Sequence, residues 1–170
     1  MNKKPIFALN LATLVIALGY SLVLPVMPFY MENLGAGGRE LGWLTAVYAL
    51  AQTVCAPFWG ALSDRIGRKP IISIGIIGYS ISLFLFGLAS SFCTLFIARS
   101  LSGILSSATS VASLAYVGDS SSEEERSKNM SQLGASMSIG VMMGPLLGGI
   151  LAGYSLALPF FTGAGISFIA

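Results

Sequence analysis

Ten consecutive residues, Gly60-Ala61-Leu62-Ser63-Asp64-Arg65-Ile66-Gly67-Arg68-Lys69, hold four charged side chains in a chain of 170 residues with only nine basic and seven acidic ones. The chemistry this pattern offers is electrostatic, not covalent. Asp64 can face a helix N-terminus, where a carboxylate gains roughly 0.3–1 kcal/mol. Arg65, Arg68 and Lys69 suit the cytoplasmic face of a bilayer, and Gly60 and Gly67 let two backbones come close. A further charge, Arg99, stands alone inside an apolar stretch, and an ionisable group at that depth marks a functional site by default. The parts of an enzyme are missing: there is no histidine, no CxxC, and no nucleophile beside a base. Cys55 and Cys93 read as small apolar packing residues, so neither a metal nor a cofactor is expected.

The elements that must position these charges are membrane spans. Charged residues make up 9% of the chain against about 25% in soluble domains, and the mean hydropathy is +0.82. A net charge of +2 is too small to argue for nucleic acid. Crossing about 30 Å of hydrocarbon takes about 20 helical residues. Five segments reach that length: about 6–30, 41–62, 71–90, 92–117 and 131–153. A sixth starts near Leu156 and runs to Ala170. Lys3 and Lys4 ahead of the first span resemble a signal peptide, but its apolar run is far longer than the ~7–15 residues of a signal core. The connections are a Gly-rich loop at 32–40, a short charged loop at 63–70, barely a turn at 90–92, and a polar stretch at 118–129 with room for a short surface helix.

Orientation follows from Lys and Arg. With the N-terminus inside, Lys3, Lys4, Arg65, Arg68, Lys69, Arg126 and Lys128 are cytoplasmic and only Arg39 is outside, which is a clear positive-inside bias. The last segment is too short for comfort, since Leu156 to Ala170 covers only about 21 Å as a helix. The expectation is therefore a fragment, or the product of a truncated gene, with the bilayer as its surroundings. No soluble linker or internal repeat is visible, although an inverted three-plus-three repeat can lie below sequence detection.

The decapeptide resembles the signature loop between helices 2 and 3 of the major facilitator superfamily. Three other stretches agree with it. Gly140-Val141-Met142-Met143-Gly144-Pro145-Leu146-Leu147-Gly148-Gly149 resembles the antiporter motif of helix 5. Leu18-Gly19 through Pro25-Val26-Met27-Pro28 resembles the helix 1 pattern of twelve-helix drug:proton antiporters. Leu95-Phe96-Ile97-Ala98-Arg99-Ser100-Leu101-Ser102-Gly103 resembles their helix 4 motif, with Ser102 where Gln is usual. The resemblance covers the whole chain and only the first half of such a transporter. It implies an all-α membrane fold, the N-terminal six-helix half, with the sixth helix cut short and the C-terminal six-helix half missing.

The same resemblance implies roles. Asp64 would latch onto a helix of the other half, with Gly60 and Gly67 permitting contact and Arg65, Arg68 and Lys69 supporting it; a loop that only fixed topology would need neither the glycines nor Asp64. Arg99 would face the central cavity and take part in coupling, although its place about 10 Å from the outer end of its helix leaves snorkelling open. Gly140, Gly144 and Gly148 recur every four residues, a smooth face suited to close packing in lipid, and Pro145 invites a bend. In antiporters this motif, with Gly149, seals the interface between halves. Tyr20, Leu24, Tyr48, Gln52, Arg99, Met137 and Ser138 are expected around a central pocket for a small-molecule substrate, or else in ordinary packing.

The spans carry no acid: where tetracycline exporters have a helix 1 carboxylate, this chain has apolar Ile16 and Leu18. Proton carriage needs a titratable group, and Arg99 titrates far above physiological pH, so the carrier acid is expected in the other half. The function implied is proton-coupled export of small apolar or cationic compounds by alternating access, in the plasma membrane, the inner membrane of a bacterium. The proton gradient, not a cofactor, supplies the energy. The alternatives are a metabolite transporter for sugar or lipid, and a truncated, non-transporting remnant or half-subunit.

Overall fold

The computed structural model describes residues 3–169, and the side chains of Lys3 and Lys4, counted above toward orientation, and the terminal Ala170 lie outside what is described. Six helices follow one another: α1 Lys3–Asn33, α2 Gly38–Ile66, α3 Arg68–Gly87, α4 Phe92–Ser120, α5 Glu123–Ala152 and α6 Leu158–Ile169. Five of them are long and apolar enough to cross a membrane, and α6 is shorter.

The expected segments are helical, and the joints expected at 32–40, 63–70 and 118–129 are shorter than expected, whereas those before α4 and α6, at 88–91 and 153–157, are longer. Residues 118–129 are neither a loop nor a separate surface helix. Residues 118–120 finish α4, 123–129 begin α5, and only Ser121 and Ser122 intervene. The acidic run Glu123–Glu125 fills the first turn of α5, where carboxylates complement the positive end of the helix dipole. Hydropathy sees only the apolar middle of such a helix, so its charged ends looked like loop. The charged loop at 63–70 likewise shrinks to one residue, Gly67, whose φ of +98° and ψ of 155° lie in a region nearly confined to glycine. Pro70 then falls in the first turn of α3, where its missing N–H costs nothing. The turn before α4 is capped by Ser91, whose hydroxyl accepts from the Thr94 N–H at 3.3 Å.

α1 lies along α5 and against α6, while α4 lies along α2 and α3, and α3 packs on α6. Exchanging the first three helices for the last three maps α1–α5 onto α4–α2 and α1–α6 onto α4–α3. This is the packing an inverted three-plus-three repeat produces. The largest apolar core joins α1, α3, α4 and α6 through Val23, Met27, Tyr79, Phe86, Leu95 and Phe160. Phe160 stacks on Phe86 at 4.8 Å and meets Tyr30 edge-on at 5.5 Å. Tyr30 also donates to the Ala89 carbonyl at 2.8 Å, tying the ends of α1 and α3.

Candidate functional site

The site is built where α1, α2, α4 and α5 meet, and close backbone approach makes it. A Cβ on Gly103 of α4 would stand 2.6 Å from the Tyr48 carbonyl oxygen, so only glycine lets α2 come this near. That approach lays the Tyr48 ring 4.4 Å from the Arg99 guanidinium carbon. Tyr20 of α1 approaches the same guanidinium at 5.4 Å, and the two rings lie 5.0 Å apart, tilted by 32°. The Tyr48 hydroxyl bonds with Ser106 at 3.1 Å, and Gln52 donates to Ser106 at 3.4 Å.

Beside this cluster opens a cavity of about 300 Å³ lined by Thr13, Ile16, Ala17, Tyr20, Thr45, Tyr48, Ala49, Gln52, Thr109, Ser110, Met137 and Val141. Four expected residues, Tyr20, Tyr48, Gln52 and Met137, meet on its wall. Three others do not. Leu24, one helical turn beyond Tyr20, is 40% exposed and absent from the lining. Ser138 follows Met137 and is turned about 100° away by the helix; it is exposed and spends its hydroxyl on the Gly134 carbonyl at 3.0 Å. Arg99 is only 2% exposed and sits behind the two tyrosine rings instead of lining the cavity. It does not snorkel.

Arg99 has no carboxylate within ion-pair distance among the described residues, and its Nε has no hydrogen-bond partner. Ser102, in the position where Gln is usual, donates to the Arg99 carbonyl at 2.8 Å and so serves its own helix, not the guanidinium. Burying an ion costs several kcal/mol even after relaxation, and each cation–π contact returns about 2 kcal/mol when desolvated. Two rings therefore offset part of that cost and leave a remainder.

Of the lining residues that sequence reasoning missed, Ile16, Ala17, Ala49 and Val141 are apolar, and Thr13, Thr45, Thr109 and Ser110 are small and polar. Hydroxyls on apolar helices commonly bond back to their own turn, as Thr13 does to Leu9 at 3.0 Å and Thr45 to Leu41 at 3.0 Å. Their types thus gave no sign of a cavity. Only helix pairing reveals it.

The antiporter-like glycines occupy another face. Gly140, Gly144 and Gly148 are buried against α1. A Cβ on Gly140 would stand 2.5 Å from the Leu14 carbonyl oxygen, one on Gly148 would stand 2.8 Å from that of Leu22, and one on Gly144 would overlap Ser21. Ser21 donates to the Gly140 carbonyl at 2.9 Å. Gly149 points elsewhere, with nothing within 4 Å of its Cβ position. Pro145 leaves the Val141 carbonyl without its helical donor.

In the charged decapeptide, Arg68 is the hub. Its Nη1 pairs with Asp64 at 2.5 Å and donates to Ser63 at 2.6 Å, while its Nε donates to Asp119 of α4 at 2.9 Å. Arg68 thus ties the α2–α3 turn to the end of α4. Asp64 remains 62% exposed, and Arg65 and Lys69 are exposed. The Cβ position of Gly60 is in ordinary contact with Val111 at 3.5 Å. Close approach within this half does not require glycine there.

Comparison with known proteins agrees with this architecture. Residues 9–170 match the model of the Major Facilitator Superfamily. Multidrug resistance protein 2 of Bacillus subtilis is 37% identical over 170 residues, covering 99% of this chain and 42% of its own length. Quinolone resistance protein NorA of Staphylococcus aureus is 35% identical, covering 100% and 44%. The human organic anion transporter MFSD10 superposes with a TM-score of 0.77 at 25% identity, covering 96% of this chain and 46% of its own. A bacterial homolog of the human lysosomal transporter Spinster, inward-facing and unoccupied, gives 0.88 at 19% identity, covering 96% and 40%. The chain therefore spans less than half the length of the curated relatives it matches. The chain belongs to the major facilitator superfamily, a multi-pass membrane protein folded as the N-terminal six-helix half.

Proposed function

We propose that this chain forms one wall of an alternating-access exporter for small, largely apolar compounds, driven by the proton gradient. The observation that carries the reading is the cavity between α1, α2, α4 and α5, whose walls combine Tyr20, Tyr48, Met137 and Ile16 with Gln52 and Thr45. Aromatic and thioether side chains adapt to varied apolar shapes, and a few polar groups orient them. The relatives named for multidrug and quinolone resistance support export. The cavity wall has no acid, so both a cation's counter-charge and the proton carrier come from outside this chain.

The second wall is a complementary six-helix half. Leu50, Val54 and Phe58 on α2 and Met142, Leu146 and Ile150 on α5 form exposed apolar stripes, and Gly149 stands open among them. Asp64 serves as the latch onto that half, at a helix N-terminus. The basic residues at the start of α1, at the α2–α3 turn and after α4 put the N-terminus in the cytoplasm of a plasma membrane. A drug-susceptibility and dye-efflux panel on cells expressing the full-length protein tests this. Lower dye accumulation and higher drug tolerance, both lost when the proton gradient is collapsed, are expected; unchanged accumulation of every lipophilic dye overturns it.

A further inference from the structure

Arg99 carries a charge for which the described residues supply no counter-charge, and it does so one ring thickness from a cavity. Its Nε is unpartnered, and so is the hydroxyl of Tyr79 on α3, which is 0% exposed. Tyr79 packs at Gly19, next to Tyr20 in α1, with its hydroxyl 3.1 Å from that glycine's Cβ position, and Tyr20 in turn covers the Arg99 guanidinium. Two buried donors thus lie about the Gly19–Tyr20 step of α1, and neither has an acceptor among the described residues. Buried donors left unpaired are rare in folded proteins.

The rings between Arg99 and the cavity are held differently. Tyr48 is tethered through its hydroxyl to Ser106 at 3.1 Å. Tyr20 is only partly buried, lines the cavity, and keeps its place through ring contacts. Of the two rings, Tyr20 is the one without a hydroxyl tether among the described residues. A guanidinium takes a carboxylate through paired N–H donors, and the tyrosine faces and the cavity of about 300 Å³ suit an aromatic body attached to it.

We propose that Arg99, with Tyr79 as second donor, is a carboxylate-recognition site for small aromatic acids, closed by the Tyr20 ring until a ligand displaces it. The assignment rests on the cavity being a substrate site and names one class of substrate for it.

The test is equilibrium binding of 2-naphthoate and its uncharged isostere 2-naphthamide to the full-length protein in lipid nanodiscs, without a gradient. Naphthoate should bind about tenfold or more tighter than naphthamide, the scale of one charge-assisted bidentate contact. Arg99→Gln should bring that ratio to about one, with an unchanged monodisperse peak in size-exclusion chromatography reporting that the variant is folded. If Arg99→Gln does not fold, Tyr79→Phe should still cut the ratio several-fold. Tyr20→Ala should speed naphthoate association. Equal binding of the two probes by the unaltered protein overturns the site, as does a preference that survives Arg99→Gln. Chloride binding as tightly as naphthoate and competing with it overturns the aromatic acid in favour of an inorganic anion. Efflux of a neutral dye is measured in parallel: dye efflux without carboxylate preference removes only this site, and carboxylate preference without efflux removes only the exporter reading.

Discussion

Tyr20 and Ser21 are consecutive residues of α1, and they meet very different surroundings. Ser21 is 0% exposed, seated against Gly144, and bonded to the Gly140 carbonyl at 2.9 Å. Tyr20 borders a cavity and covers a guanidinium that has no counter-ion among the described residues. One side of the helix is a satisfied, close-packed joint. The other is an open surface with polar groups left unpaired. Helix packing in lipid gains little from apolar burial, because lipid tails are equally apolar, so the joint relies on close van der Waals fit and hydrogen bonds. A rigid joint on one side is what lets the other side stay incompletely satisfied.

The comparison breaks most visibly at Gly144. Gly144→Leu forces a side chain into Ser21 and should cost more than the roughly 1–3 kcal/mol typical of overpacking. The polypeptide should still insert, while the monodisperse folded fraction in detergent, read by size-exclusion chromatography, collapses and transport goes with it. Normal transport by that variant would mean that the α1–α5 joint is not needed.

On the other face the effect on stability should have the opposite sign. Arg99→Met replaces a buried charge lacking an ion-pair partner with an apolar chain, which removes a desolvation cost of several kcal/mol against the loss of two cation–π contacts of about 2 kcal/mol each. Its thermal midpoint should hold or rise. A fall comparable to that of Gly144→Leu would show that Arg99 belongs to the frame.

Two smaller effects sharpen the boundary. Gly67→Ala, at a φ of +98°, should cost roughly 1–3 kcal/mol, read as a lower midpoint with the cavity unaffected. Ser21→Ala removes one hydrogen bond and should cost only about 1 kcal/mol, because the glycine contacts of the joint survive it.

How far the sequence revealed these two faces differs for a physical reason. The glycine face was legible because Gly140, Gly144 and Gly148 recur at a helical repeat, and spacing along one helix is a local property. Its partner was not, since nothing in that repeat names Ser21 or α1. The cavity was half legible. Tyr20, Tyr48, Gln52 and Met137 stood out by type, whereas Thr13, Thr45, Thr109 and Ser110 carry no mark until four helices are assembled. Ser138 was misplaced because rotation about the helix axis turns it away from Met137, and Leu24 because, one turn beyond Tyr20 on the same face, it lies past the lined stretch of α1. Arg99 was conspicuous as a lone charge, yet its depth behind two rings depends on Gly103 admitting α2, a contact between residues distant in sequence. The polar helix ends at 118–129 were misread for a simpler reason: hydropathy locates membrane, and helices outrun it.

The central claim is that the Tyr20 face, not the Ser21 face, handles substrate. Ala49 tests it most directly, because it lines the cavity and is exposed, so a larger side chain there fills space without touching the joint. The measurement is dye efflux per folded molecule in cells expressing full-length Ala49→Trp. Normal folded yield with efflux reduced about tenfold or more, equivalent to at least about 1.4 kcal/mol, is the predicted result. Unchanged efflux at normal yield would contradict the account, since substrate would then be passing somewhere other than this cavity.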